Sequence, residues 1–287
     1  MIKEFDFIRP ADLDEALGIL AAGDEAFKPL AGGTDIVPGL QQGSHRFAGI
    51  KKLVDIHHLP ELNTVRETET GISIGAAVSF TAIQHNPLIR KHFPLLAKAV
   101  STIGSVQIRN RATIAGNFVN NAPCADSVPP LLVYDAEIRI RSAGHERKLR
   151  LEEFLVKPYR TQLQPDELVT EILLPAQPAG YCGDFYKLGR RRGVAISRIT
   201  LALLLKMQQE TIEDIRIAAG AVTPIGKRFP GLEDFAKGKK TTSDFLKELA
   251  QKLGQKVLDT TGLRWSTPYK LPVTQQMFYQ LLQGICS

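Results

Sequence analysis

The sequence is poor in cysteine. Its 287 residues hold three, Cys124, Cys182 and Cys286, and no Cys-x-x-Cys pair. That excludes a zinc site or an iron–sulfur cluster built by this chain alone, and it excludes a disulfide-stapled scaffold. A sparse, odd count fits a reducing compartment, so a cytoplasmic location is expected. No apolar run approaches the roughly 18 residues of a membrane-spanning helix. The first residues carry Glu4 and Asp6 and no long apolar core, so they do not read as a secretory signal. Also missing are the G-x-S-x-G elbow, the H-E-x-x-H helix, the Walker loop and the G-x-G-x-x-G fingerprint. His57 and His58 are adjacent but lack a third ligand at metal spacing, and they read as structural. Cys124 has no neighbouring His or basic residue to mark a reactive thiolate. Hydrolytic and metal-centred chemistry therefore have no candidate residues here.

Charge of either sign is only mildly unbalanced. Thirty-six basic residues against 30 acidic leave +6, with a pI of about 9.2. An anionic ligand or an acidic partner suits this excess. Nucleic acid does not, because the basic residues are scattered apart from Arg190, Arg191 and Arg192, and no aromatic interleaving accompanies them. Hydrophobic residues at 44% and charged residues at 23% are ordinary globular usage, and the length suits two or three compact units.

Leu13, Ala16, Leu17, Leu20 and Ala21 recur at helical spacing, with Asp12 and Glu15 placed as a capping box and Gly23 as the stop. Strands are expected at residues 26–30 and 53–56, giving a β-α-β unit over about 1–58. A larger α+β unit over 59–176 holds strands at 71–76, 137–141 and 168–174. It also holds a short helix capped by Ser79 and a helix at 95–103 stopped by Gly104. Residues 110–126, rich in Asn, read as irregular. Residues 175–180 read as a linker by their Pro and Gly content. Residues 177–287 read as a compact α+β domain, with paired strands at 195–207 and 212–222 and helices marked by Leu246 to Val257 and Met277 to Ile285. No internal repeat is present.

Three segments could carry chemistry. In the first, Lys28, Pro29 and Leu30 run into Ala31, Gly32, Gly33, Thr34 and Asp35. Paired glycines can turn at positive φ and present successive N–H groups to phosphate oxygens; a tight turn capped by Asp35 is the alternative. The second runs from Thr113 to Asp126, through Ala115, Gly116, Asn117 and Asn120. A polar loop of that length within a domain is either functional or well packed. Asp126 reads as a helix N-cap before Pro129 and Pro130, or as an acceptor for a ligand hydroxyl. The third is the strand residue Lys187 before the three arginines, a cation that could face an anionic cofactor; the arginines read as a solvated or partner-facing edge. Anion- and hydroxyl-binding loops without hydrolytic machinery point to a bound cofactor.

In this order and spacing, the glycine segment at 28–35, Thr-Ile-Ala-Gly-Asn at 113–117, Pro-x-x-Asp at 123–126 and Phe-Tyr-Lys-x-x-x-Arg-Arg from Phe185 resemble one family. It is the FAD-binding medium subunit of the molybdenum hydroxylases, which include bacterial xanthine, nicotinate and carbon monoxide dehydrogenases. The resemblance spans essentially the whole chain. It implies an α+β fold: a vanillyl-alcohol-oxidase-type (PCMH-like) FAD-binding domain at 1–176, made of two α/β subdomains, and a small C-terminal α+β domain at 177–287. It implies noncovalent FAD, since neither glycine-bearing loop contains His. It places cofactor contacts at residues 28–35, at Ile103 and Gly104, at Thr113, Ala115, Gly116, Asn117 and Asn120, at Asp126, at Leu168 against the ring, and at Lys187. No residue is cast as catalytic. The resemblance further implies an electron-transfer role: a small partner subunit carries [2Fe–2S] clusters, a large one carries molybdopterin, and electrons leave for NAD⁺ or another acceptor from a dimer of heterotrimers. A stand-alone flavin oxidase and a flavin-free assembly subunit are the alternatives. Ala115 stands where the family has glycine, and Ala195 where some members carry an acid.

Overall fold

The computed structural model describes residues 5–23, 26–191 and 193–286. The N-terminal unit is a three-stranded parallel sheet in the order Asp6–Ile8, Lys52–Asp55, Phe27–Leu30. Helix Leu13–Ala22 packs on it through Leu13, Ala16, Leu17 and Leu20. A box-like cap forms, displaced by one residue from the expected one: Asp12 Oδ1 accepts the Glu15 N–H at 2.8 Å, and Glu15 Oε2 accepts the N–H of Ala11, the residue before the cap, at 2.5 Å. The crossover from Phe27–Leu30 to Lys52–Asp55 passes through the glycine segment and helix Ile36–Gln41. That segment therefore lies at the C-terminal end of a parallel strand, where open α/β sheets place their ligands.

The second unit is a five-stranded antiparallel sheet in the order Val65–Thr68, Gly71–Gly75, Leu168–Pro175, Glu137–Ser142, His145–Arg150. Six short helices, from Phe80–His85 to Val128–Val133, fill the excursion between its second and third strands in sequence. Here one expectation fails. Residues 110–126 are not irregular throughout: Val106–Arg111 and Ile114–Asn120 are helices, and only residues 112–113 and 121–126 lie outside them. Thr113 caps the latter helix by accepting the Gly116 N–H at 3.2 Å, and Ile114, Ala115 and Phe118 anchor it in the core. Burial of that face outweighs the poor helix propensity of Asn and Gly. Asn121, at φ +47, ends it in the left-handed conformation that Asn tolerates.

The third unit is a four-stranded antiparallel meander, Tyr181–Gly189, Ser197–Gln208, Thr211–Gly220 and Lys227–Arg228, covered on one face by helices Pro230–Ala236, Ser243–Thr261 and Thr267–Cys286. Strand Ser197–Gln208 has no polar face. Leu201, Leu203 and Leu205 enter a core shared with these helices, whereas Ala202 and Leu204 join Phe185 and Ala218 in the core of the preceding units. A strand buried on both faces reads as a continuous apolar run, which accounts for its Ile-Thr-Leu-Ala-Leu-Leu-Leu sequence.

A buried ion network clips the third unit to the second. Glu233, 4% exposed, accepts from the Ile217 N–H at 2.9 Å and from Arg228 Nε at 2.8 Å. Arg228 continues to Asp135, which also holds Arg216 at 2.6 Å. Removing one partner strands the others in a dry environment. Glu233→Ala is therefore expected to cost roughly 3 kcal/mol, seen as a lowered urea midpoint; an unchanged midpoint would show that water replaces the carboxylate without penalty.

Candidate functional site

A groove of about 660 Å³ runs between the first two units. One wall is the glycine segment, the other is helix Ile114–Asn120 with residues 159–161 and 167–169. The two glycines differ in purpose. Gly33 alone has positive φ, +73. Gly32 is required by proximity: a Cβ there would lie 2.1 Å from the Arg111 carbonyl oxygen. The expectation that both glycines turn at positive φ is thus corrected for Gly32.

Residues 32–35 line the groove beside this contact. The N–H groups of Gly32, Gly33, Thr34 and Asp35 find no acceptor among the described residues. Asp35 does not cap the following helix with its side chain; its carboxylate accepts from Asn120 Nδ2. The second wall offers side chains instead. The N–H groups of Ile114, Ala115 and Gly116 are already bonded to Val78 O, Ala76 O and Thr113 Oγ1 at 3.1, 3.2 and 3.2 Å. Asn117 Oδ1 accepts from Ser127 Oγ at 2.7 Å, which leaves its amide NH₂ as the available donor.

The groove carries Lys28, Arg46 and Arg160 against Asp35 and Glu167. Glu167 is neutralised by a bidentate bond to Arg147, at 2.7 and 2.8 Å. Burial raises its pKa, but the Arg147 bonds and the Gln164 N–H hold it below the ordinary carboxylate value. No carboxylate pairs with Lys28, Arg46 or Arg160 within 4.0 Å among the described residues. Arg46 stacks 4.0 Å from the Tyr159 ring centroid and donates to Asn120, tying the rim of one wall to the other. Neither residue was legible in the sequence. Arg46 follows no motif, and Tyr159 earns its place through an unusual φ of +62 in the turn between strands Leu155–Lys157 and Arg160–Thr161.

Of the sequence candidates, Lys28, Pro29, Ala31, Gly32, Gly33, Thr34, Asp35, Thr113, Ala115, Gly116, Asn117, Asn120 and Leu168 line this groove. Leu30 lies behind it in its strand. Ile103, Gly104, Asp126 and Lys187 gather at a separate corner. There Lys187 Nζ donates to Asp126 Oδ2 at 2.7 Å and to the Thr102 carbonyl at 2.9 Å, while Ser197 Oγ donates to Asp126 Oδ1 at 2.5 Å. Arg109 reaches the Ile103 and Gly104 carbonyls, each at 3.1 Å. Asp126 is therefore no helix cap: Ser127 holds the N-cap position of helix Val128–Val133, without a side-chain cap bond, and the Asp126 carboxylate is spent on Lys187 and Ser197. Ser127, bonded to Asn117, links this corner to the groove. The adjacent Cys124 thiol is pushed up by burial and by Asp126, as suits an unreactive cysteine. His58 bonds the Pro10 carbonyl at 2.9 Å and lies 3.4 Å from Asp55, a structural arrangement; no group of three or more potential metal ligands occurs among the described residues. Nor is any described helix long and apolar enough to cross a membrane.

Comparison with known proteins gives matches over the whole chain. The family model described as the FAD binding domain in molybdopterin dehydrogenase matches residues 3–177, and that of the CO dehydrogenase flavoprotein C-terminal domain matches residues 184–285. The chain is 34% identical to the glyceraldehyde dehydrogenase medium chain of Sulfolobus acidocaldarius, over 95% of each chain. It is 31% identical to the nicotinate dehydrogenase FAD-subunit of Eubacterium barkeri, over 99% of this chain and 97% of the relative. Its fold superposes on a chain of carbon monoxide dehydrogenase from Hydrogenophaga pseudoflava with a TM-score of 0.92, at 26% identity and over 99% and 98% of the two chains.

Burial pushes the Asp126 carboxyl above its ordinary value of 3.8, against the lowering pull of Lys187 and Ser197. Between that value and the higher one in the fold, the native state holds the extra proton, so this residue's contribution to stability falls as pH rises through the window. Asp126→Asn is expected to abolish that component. The stability difference between parent and variant, from urea titrations at stepped pH, should decline across the window and flatten above it; a difference that grows with pH would reverse the assignment.

Proposed function

Because this chain belongs to the family of FAD-binding domains in molybdopterin dehydrogenases, we propose that it is the flavin-bearing electron-transfer subunit of a multi-subunit hydroxylase working in the cytoplasm. The observation that carries this reading is the row of N–H groups at residues 32–35 that find no acceptor among the described residues. Such a concavity of backbone donors suits a diphosphate, because it neutralises charge without long, hydrated side chains. The fit extends to shape: a glycine at 32 lets the loop sit against Arg111, and a side chain there would force the two backbones apart and shift the loop.

In this reading residues 28–35 hold the FAD diphosphate, and Asn117 and Asn120 offer side-chain donors from the facing helix. Lys28 supplies a nearby positive charge. Leu168 gives the ring an apolar contact. Asp126 and Lys187, with Ile103 and Gly104, shape the corner beside it, and Ala115 replaces the family glycine in a helical backbone that any residue can adopt. Flavin, when bound, exchanges electrons singly or in pairs, and so joins one-electron centres to a two-electron acceptor. Since the chain has too few cysteines for clusters, its electrons come from a small subunit's [2Fe–2S] centres. Substrate is oxidised at molybdopterin in a large subunit, and the acceptor is NAD⁺ or another oxidant. Two such heterotrimers would pair. Arg190 and Arg191 edge the same strand as Lys187; Arg192 lies outside the described residues.

Titration of the flavin-stripped chain with FAD tests the reading. Stoichiometric binding that quenches flavin fluorescence is expected, and a chain that stays colourless would remove the proposal. Gly32→Ala should weaken binding tenfold or more, on the order of 1.4 kcal/mol, and Asp126→Ala should lower retention. Unchanged affinity in Gly32→Ala would show that the loop does not grip the cofactor.

A further inference from the structure

We infer that the corner between helices Ser243–Thr261 and Thr267–Cys286 is a docking surface for a partner subunit that presents an apolar contact rimmed by carboxylates. This rests on the reading of the chain as one member of a complex. Two large apolar side chains stand almost fully in solvent at this corner: Leu263 is 86% exposed and Trp265 is 88% exposed. Tyr269, one turn into the second helix, is half-exposed, and the Arg198 guanidinium lies 5.7 Å from its ring centroid. Exposed tryptophan and tyrosine grouped with a half-buried arginine match the composition of interface anchors. Beside them is a dimple of about 40 Å³ with Val222, Val257 and Leu258 in its wall, so the face offers both a knob and a socket.

Charge identifies the occupant. Arg264 and Lys270 line the dimple, and Arg198 is close enough to perturb Lys270. None of the three has a carboxylate within 4.0 Å among the described residues, although ion pairs are abundant elsewhere on the chain. Burial and the two guanidiniums push Lys270 below its ordinary value, the mark of cations crowded together without a counter-charge. A second copy of this chain docked face to face would bring like charges together. An acidic surface would relieve them and steer association.

The position also favours a subunit of the complex over an unrelated protein. Lys270 Nζ donates to the Ala221 carbonyl at 2.8 Å, and the Ala221 N–H donates to the Pro123 carbonyl at 2.8 Å. Pro123 belongs to the segment that carries Asp126 and, through Ser127, holds Asn117 in the groove wall. Ala221 keeps a φ of +59, rare for a residue with a side chain. The docking face is thus two hydrogen bonds from the cofactor loops.

The test uses the full chain together with the iron–sulfur and molybdopterin subunits of its own complex. The chain has one tryptophan, so the chain labelled on its own with 5-fluorotryptophan carries a single fluorine resonance, at position 265, and is then mixed with the unlabelled partner subunits. That resonance should shift on assembly. Trp265→Ala and Arg264→Glu should each weaken assembly about tenfold or more, measured by equilibrium sedimentation. Trp265→Phe should restore much of it, and each isolated variant should bind FAD like the parent. Three results would overturn the inference: variants that assemble as the parent does, a parent that self-associates through Trp265, or a face that binds anionic phosphatidylserine vesicles while its loss leaves assembly intact. Failure of the parent itself to assemble with any subunit would instead remove the complex reading, and this inference with it.

Discussion

The close approach of Gly32 to the Arg111 carbonyl is the contact on which the site depends. It brings the first crossover of the N-terminal sheet against the helical excursion of the second unit, and the groove is the space left beside that contact. It also fixes the direction of the following peptides. Gly32 is pressed against one backbone and Gly33 is turned to positive φ, and the N–H groups of residues 32–35 find no acceptor among the described residues. In the proposed reading this row of backbone donors receives the anion without a dedicated cationic side chain.

The third unit shares in this arrangement because its central strand belongs to two cores. Ala202 and Leu204 are buried against the cofactor half while Leu201, Leu203 and Leu205 are buried against the terminal helices. Ser197, at the start of the same strand, and Lys187, on its neighbour, both hold Asp126. A shift of this sheet would break buried charge-assisted hydrogen bonds as well as apolar contacts, so the sheet and the Asp126 corner move together or not at all. The Asp135, Arg216 and Arg228 network fastens the far end of the same interface.

Much of this was legible in residues. The amphipathic helix at Leu13–Ala22 and its cap, the strand at Gly71–Gly75 and the two long strands of the third unit follow from periodicity and capping chemistry, because these elements bury one face or both against a continuous core. Helix Ile114–Asn120 was hidden because its stability comes from burying Ile114, Ala115 and Phe118, a tertiary gain invisible to local propensity. Strand His145–Arg150 was hidden for a related reason: charged residues occupy most of it, and its place at a sheet edge needs little apolar character. Asp126 looked like a cap because its neighbours Pro129 and Pro130 do open a helix. Its real partners, Lys187 and Ser197, lie 61 and 71 residues away in sequence. The Arg46 and Tyr159 contact, across more than a hundred residues, had no local signal at all.

An exposed row of N–H groups raises a question of cost. Fully buried, each unsatisfied donor would cost about 1–3 kcal/mol, and four of them would strain a domain of ordinary stability. The groove avoids this by staying open to solvent: Gly32, Gly33 and Thr34 are only half-buried and Asp35 is exposed, so water satisfies them in the free chain. The donors are nevertheless held in position by the packing of Gly32, and an anion meets them without further backbone ordering. Affinity in such a site comes from preorganisation more than from contact area. A loop whose geometry is set by contact with a carbonyl 79 residues away is accordingly better suited to retain a dinucleotide than a flexible run of lysines would be.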